Sequence, residues 1–178
     1  PVLARRCVAA GLVGFEWAVG VPGSIGGAVR MNAGGHGSDI AASLTGVHLL
    51  DLRTARRAWV PAGELGLHFR GSRLSDHQVV LDARLQLAYG DAEEAEATLT
   101  EIVRWRREHQ PGGQNAGSVF VNPIPGELPA ARLIDQLGLR GFRVGGAVVS
   151  DKHANFIQAG DGATAAEVRA VIEHVRAA

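Results

Sequence analysis

Four glycines, Gly20, Gly23, Gly26 and Gly27, fall within the short run Gly20-Val21-Pro22-Gly23-Ser24-Ile25-Gly26-Gly27-Ala28, and Asn32-Ala33-Gly34-Gly35 follows closely. Without side-chain walls, the consecutive N–H groups of such a run can approach a phosphate directly. Ser24 adds a hydroxyl, and Pro22 stiffens the approach. The same composition also suits a tight turn with close backbone packing. Neither common phosphate signature is present: no Lys-Ser or Lys-Thr follows the glycines, and the G-x-G-x-x-G spacing is missing. A diphosphate held here without a reaching lysine or magnesium fits a retained cofactor better than a hydrolysed nucleotide.

Two further residue types invite chemistry. In Asn115-Ala116-Gly117-Ser118-Val119-Phe120-Val121-Asn122-Pro123, Ser118 follows a glycine at the start of an apolar strand, where it could present its hydroxyl beside the amides of Asn115 and Asn122. It could equally cap a turn. A hydrolase elbow is ruled out, because positions 116 and 120 would have to be glycine and no His-Asp pair is recognisable by spacing. In Gly66-Leu67-His68-Phe69-Arg70-Gly71-Ser72, Arg70 could clamp a carboxylate with two parallel hydrogen bonds, or lie solvated on the surface. The seven histidines, His36, His68, His77, His109 and His153 among them, show no H-x-x-x-H or H-E-x-x-H spacing, so no metal site is expected.

These groups need a scaffold, and 178 residues with 46% hydrophobic content suffice to bury a core as one domain or two small ones. Eighteen basic and eighteen acidic residues cancel, so no global field points to nucleic acid or an anionic membrane. The single Cys7 excludes an intrachain disulfide and fits a reducing compartment, hence a cytoplasmic location. No apolar run approaches the roughly 20 residues that span a bilayer. Pro1 is not a natural translation start, which predicts a fragment or a processed product.

The periodicity predicts the positioning elements. Residues 2–10 suit a short helix ended by Gly11. Residues 44–51, 56–60 and 79–88 read as strands of a half-exposed antiparallel sheet, the last alternating Val79, Leu81, Ala83, Leu85 and Leu87 against polar neighbours. Residues 91–109 run from acidic to basic with Leu99, Ile102, Val103 and Arg106 at helical spacing, a polarity that complements a helix dipole. Gln110-Pro111-Gly112-Gly113-Gln114 breaks that helix and marks a domain boundary. A short helix is predicted over 128–137, and a final one behind the capping box Thr164-Ala165-Ala166-Glu167, with Val168, Val171, Ile172 and Val175 on one face.

Taken in order, Gly14-Phe15-Glu16, the Gly20 to Ala28 run, Met31-Asn32-Ala33-Gly34, Phe69-Arg70-Gly71-Ser72, Asn115 to Phe120, Gly145-Gly146-Ala147 and Ser150-Asp151-Lys152-His153-Ala154-Asn155-Phe156 closely resemble the UDP-N-acetylenolpyruvoylglucosamine reductases. The resemblance covers nearly the whole chain. It implies an α+β architecture: the second lobe of a vanillyl-alcohol-oxidase-type FAD-binding domain over 1–110, then a small α+β substrate-binding domain over 111–178. It also implies an NADPH-dependent flavoenzyme of peptidoglycan precursor synthesis. In that family NADPH reduces FAD, and flavin N5 delivers hydride to the methylene carbon of UDP-N-acetylglucosamine enolpyruvate while a proton is added at the neighbouring carbon, giving UDP-N-acetylmuramate.

By the same resemblance Ser118 is the proton donor and Arg70 stabilises the enolate-like charge. Gly20, Val21, Pro22, Gly23, Ser24, Gly26 and Gly27, with Asn32, Ala33 and Gly34, line the FAD diphosphate and nearby parts of the cofactor. Arg70, Gln110, Asn115, Ser118 and Asn122 face the UDP-sugar. Three departures stand beside this. The family's C-terminal Glu-Val-Arg motif is missing after His174-Val175-Arg176-Ala177-Ala178, and Glu167-Val168-Arg169 is a decoy at the start of a capped helix. The N-terminal FAD lobe is also absent, so the 178 residues alone are expected to be inactive. Val121 and His109 stand where lysines are common. The absence of a long, tyrosine-bearing insertion points to the shorter subtype. Another flavin oxidoreductase of the same fold, or a non-catalytic UDP-sugar-binding module from a truncated gene, are the alternative readings.

Overall fold

Apolar residues at helical spacing open the chain: α1 (Val2–Ala9) buries Ala4, Cys7 and Val8. In this computed structural model, which describes residues 1–124 and 127–178, a short strand β1 (Leu12–Val13) and a 3-10 helix (Glu16–Gly20) follow. The 3-10 helix and the residue before it bury Phe15, Trp17, Ala18 and Val19, and the Phe15 and Trp17 rings meet edge to face at 5.2 Å. The glycine run then enters α2 (Ile25–Arg30), and a two-residue hairpin pairs β2 (Gly34–Gly35) with β3 (Ser38–Asp39).

Three longer strands, β4 (Leu44–Asp51), β5 (Arg56–Pro61) and β6 (Gln78–Leu85), form an antiparallel sheet with β4 in the middle, and β7 (Ala88–Tyr89) returns to pair with β1. The alternation over 79–88 predicts Val79 and Leu81 on the same buried face as Ala83, Leu85 and Leu87. The structure corrects this: Val79 and Leu81 are exposed, and Val80 packs on the core with Ala83, Leu85 and Leu87. A register shift is the cause, since His48 pairs with Asp82 but Leu49 pairs with Val80. Leu81 is thus an extra residue, and the inside and outside faces exchange across it.

Helix α3 (Ala92–His109) starts where Asp91 accepts hydrogen bonds from the N–H groups of Glu93 and Glu94, at 2.8 and 3.0 Å. It buries Ala95, Leu99 and Ile102 in the first core, with Val29, Ile40, Val47 and Leu49. Leu99 is fully buried, so its truncation to alanine would cost about 2–5 kcal/mol. Contacts divide the chain within α3 into Pro1–Arg104 and Trp105–Ala178.

The second unit builds its own core. β8 (Asn115–Ser118) is the edge of a sheet completed, after α4 (Ala130–Gln136), by β9 (Arg143–Val144), β10 (Ala147–Val149) and β11 (Phe156–Ala159), in the order β8-β11-β10-β9. α5 (Ala165–Ala177) packs on this sheet and places Val171 and Val175 against Ala147, Val149 and Ile157. Its start has the full capping box: Thr164 Oγ1 accepts from the Glu167 N–H, and the Glu167 carboxylate accepts from the Thr164 N–H at 2.8 Å. Among the described residues every strand pairing is antiparallel, and both units mix helices with sheets in the α+β manner.

Candidate functional site

The glycine run is a bend leading into a helix. Ser24 is the N-cap of α2, and its hydroxyl oxygen accepts from the Gly27 N–H at 3.1 Å. The amides of Ile25 and Gly26 have no partner inside the helix. Gly23 has φ +117°, a conformation side chains disfavour, with no atom within 4 Å of where a Cβ would stand. Beside it, Trp17, Pro22, Gly23 and Ser24 help line a small cavity of about 40 Å³. The Trp17 indole N–H is buried and has no acceptor among the described residues.

Asn32, predicted to line the cofactor, has its side chain fully engaged inside the protein. It is 4% exposed; its Nδ2 donates to Asp39 Oδ2 at 3.0 Å and to the His68 carbonyl at 3.2 Å, and its Oδ1 accepts from the Ala41 N–H at 3.1 Å. Ala33 is held by its main chain, donating to Ala28 and accepting from Ile40. Gly34 is required by crowding, since a Cβ there would lie 2.6 Å from the Ser38 carbonyl oxygen.

Arg70 occupies the third position of a tight turn closed by two bonds, His68 N–H to Gly71 O at 3.0 Å and Gly71 N–H to His68 O at 3.1 Å. Its φ is +56°, the left-handed conformation that such a turn normally gives to glycine or asparagine. For arginine this costs about 1–2 kcal/mol. The surroundings impose it. Asn32 holds the His68 carbonyl, the His68 ring donates from Nδ1 to the Gly66 carbonyl at 2.9 Å, and Ser72 Oγ donates to the Arg30 carbonyl at 2.7 Å. The guanidinium lies 5.0 Å from the centre of the exposed Phe69 ring and has no carboxylate partner among the described residues. Arg70 and Phe69 line an open cleft of about 410 Å³ together with Gly34, Gly35 and Asp39.

Ser118 is brought out differently. The sequence places it at the start of an apolar strand, whereas it is the last, exposed residue of β8. Asn115 pairs with Gln158 and Ser118 with Phe156, so β8 carries one residue more than β11 over this stretch. Gly117, at φ +74°, supplies the left-handed residue of that bulge. Asn115 shapes the same loop, with Oδ1 accepting from the Gly117 N–H at 3.0 Å and Nδ2 donating to the Gly113 carbonyl at 3.1 Å. Sequence reasoning assigned no role to Asn155, although it lies in the quoted Ser150 to Phe156 motif. Its amide grips Phe120: the Phe120 N–H donates to Asn155 Oδ1 at 2.8 Å, and Asn155 Nδ2 donates to the Phe120 carbonyl at 2.8 Å.

The remaining predicted residues have local tasks. Asn122 accepts from the Ala130 N–H at 3.0 Å and so caps α4. Gln110 keeps a buried Oε1 without a donor among the described residues. Glu167, in the decoy motif, is held below the usual carboxylate range by the N–H groups of Thr164 and Gly146. Burial pushes the His153 imidazole down, helped by the Arg140 charge, and its Nδ1 accepts from the Asn155 N–H at 3.3 Å.

Comparison with known proteins gives these residues a common context. The C-terminal domain of UDP-N-acetylenolpyruvoylglucosamine reductase matches residues 108–178. The UDP-N-acetylenolpyruvoylglucosamine reductase of Prochlorococcus marinus is 44% identical over 178 residues, covering 99% of this chain and 60% of the relative. That of Heliobacterium modesticaldum is 45% identical over 177 residues, covering 98% of this chain and 56% of its own. The crystal structure of UDP-N-acetylenolpyruvylglucosamine reductase from Thermus caldophilus aligns with a TM-score of 0.92 at 37% identity, over 99% of this chain and 65% of that one. The chain spans somewhat more than half the length of these relatives. From its first helix to its last the chain is thus similar to the UDP-N-acetylenolpyruvoylglucosamine reductases, and its residues 108–178 match their C-terminal domain.

Proposed function

We propose that the protein is an NADPH-dependent, FAD-containing reductase that converts UDP-N-acetylglucosamine enolpyruvate to UDP-N-acetylmuramate for peptidoglycan synthesis in the cytoplasm. The observation that carries the reading is Arg70. A guanidinium without an anionic partner among the described residues, on a backbone held in a strained conformation, is the arrangement expected of a group reserved for a negative charge brought by substrate. Among the described residues no helix is long and apolar enough to cross a membrane.

The residues present fit a dinucleotide. The bend between the buried Gly20 and the start of α2 offers open backbone at Gly23, with room limited to ordinary contact at Gly26 and Gly27, and the buried Trp17 N–H beside it has no acceptor among the described residues. Asn32, whose side chain is committed, would contribute main chain there with Ala33 and Gly34. When bound, FAD supplies the hydride relay between NADPH and the methylene carbon of the enolpyruvyl group. In this reading residues 1–110 are the second lobe of a vanillyl-alcohol-oxidase-type FAD domain, and 111–178 the substrate domain.

The chain's own residues do the rest. As the carbon–carbon double bond accepts hydride at its methylene end, negative charge collects on the carbon bearing the carboxylate. Arg70 stabilises that charge, and Ser118 gives its hydroxyl proton to that carbon, regaining one from solvent. A serine hydroxyl is a weak acid, so its contribution depends on position more than on acidity. Gln110, whose buried Oε1 has no donor among the described residues, and the loops carrying Asn115 and Asn122 would face the UDP-sugar.

The test separates the half-reactions. The full-length protein that carries these residues should retain yellow flavin absorbance through gel filtration, lose it on adding NADPH and regain it on adding the enolpyruvyl substrate. Ser118→Ala should leave the NADPH step near the wild-type rate and slow reoxidation by substrate. Wild-type reoxidation in that variant would remove Ser118 from the mechanism.

A further inference from the structure

The strand that presents Ser118 has little to hold it. β8 is a four-residue edge strand, opened by a loop of glycines and interrupted by the bulge at Gly117. After Ser118 the ladder stops, because the Phe120 N–H and carbonyl bond to a side chain rather than to a strand. That side chain is Asn155, which is 4% exposed. Its two amide bonds to Phe120, both 2.8 Å, reproduce with a side chain the paired donor and acceptor of a strand neighbour. Its main chain adds a third point, since its carbonyl accepts from the Val119 N–H at 2.9 Å.

Ser118 therefore lies between two fixed points: the bulge on one side and a three-bond clamp on the next two residues. We propose that Asn155 is a positioning residue that sets the place of the Ser118 hydroxyl. The inference rests on the reading of Ser118 as proton donor. The chemistry of the clamp selects asparagine. Aspartate keeps the acceptor for the Phe120 N–H but turns the donor into a second acceptor facing the Phe120 carbonyl. Serine is too short to reach both groups. Both substitutions keep the main-chain bond from the Val119 N–H to the carbonyl of residue 155.

The experiment is a double-mutant cycle in the full-length, flavin-loaded protein, with Asn155→Asp and Asn155→Ser each combined with Ser118→Ala. Stopped-flow absorbance reads flavin reduction by NADPH and reoxidation by the enolpyruvyl substrate separately. A misplaced proton donor slows the second step about 10- to 100-fold and leaves the first within about twofold. In the Ser118→Ala background the same Asn155 substitution has little further effect, because the group it positions is gone. Either variant that retains NADPH-reducible flavin suffices, so a folding failure of one leaves the other decisive. Slowing that multiplies with that of Ser118→Ala, equal loss of both half-reactions, or reoxidation at the wild-type rate overturns the proposal. If Ser118→Ala itself reoxidises normally, the role of Ser118 falls first, and that result is distinct from a failure of Asn155 alone.

Discussion

The turn at Arg70 and the strand end at Ser118 solve one problem in opposite ways. Each presents a side chain to solvent, and each is fixed by a buried asparagine whose amide holds main chain far away in sequence: Asn32 to His68, and Asn155 to Phe120. At Arg70 the backbone is strained, and bonds around the turn force a left-handed arginine. At Ser118 the strain is delegated to Gly117, which adopts the left-handed conformation at little cost and leaves the serine extended. An electrostatic group tolerates a costly backbone because its charge acts over a distance. A proton donor must meet one atom, and is better served by an unstrained strand with its register pinned.

The largest effect expected from this contrast is on catalysis. Arg70→Ala should slow flavin reoxidation by substrate by about 100- to 1,000-fold, the usual loss when a preorganised charge-stabilising group is removed. Its melting temperature should stay unchanged, because alanine carries the same Cβ penalty at that φ and the guanidinium has no ion pair among the described residues to lose. A clear loss of stability would show that Arg70 holds the turn together, and the contrast would fail.

Next in size is Asn32→Ala. It removes three hydrogen bonds and leaves the Ala41 N–H without its side-chain acceptor, so urea titration should show a loss of about 2–4 kcal/mol. A loss below about 1 kcal/mol would mean that the turn does not need the amide.

Smaller still, Gly117→Ala should cost about 1 kcal/mol from its positive φ alone, since no atom lies within 4 Å of the new Cβ. Reoxidation should slow as well if the bulge aims Ser118. Unchanged kinetics with lowered stability would confine the bulge to folding.

The smallest effect is on pH. The folded His153 pKa is depressed, mainly by burial and then by Arg140, so the unfolded chain takes up this proton first as pH falls below about 6.5. Stability should therefore decline from that point down to the lower folded value and then level off. Urea midpoints at several pH values should carry this component in the wild type and lose it in His153→Phe.

What could be read from the sequence was local in origin. The capping box at Thr164 and Glu167 and the acidic-to-basic run of α3 are each written in neighbouring residues, and each element formed there. The family could be read because ordered short motifs together carry what none carries alone. The inverted faces at Val79 and Val80 could not, because the extra residue is defined only against β4. The same holds for the asparagines. An amide in a glycine-rich motif looks identical whether it faces a ligand or a carbonyl 36 positions away, as between Asn32 and His68. Nor does Phe69-Arg70-Gly71-Ser72 reveal that the positive φ falls on the arginine, since a glycine stands next to it.

The left-handed backbone at Arg70 also bears on how this protein would fare under artificial selection. A library randomised at position 70 and sorted only for soluble yield should drift to glycine and asparagine, which accept that conformation readily. The arginine would be counted among the poorer sequences. Where Arg70 serves substrate as proposed, stability screens of this chain would select against that role, and any stabilised version would have to be sorted for turnover at the same time.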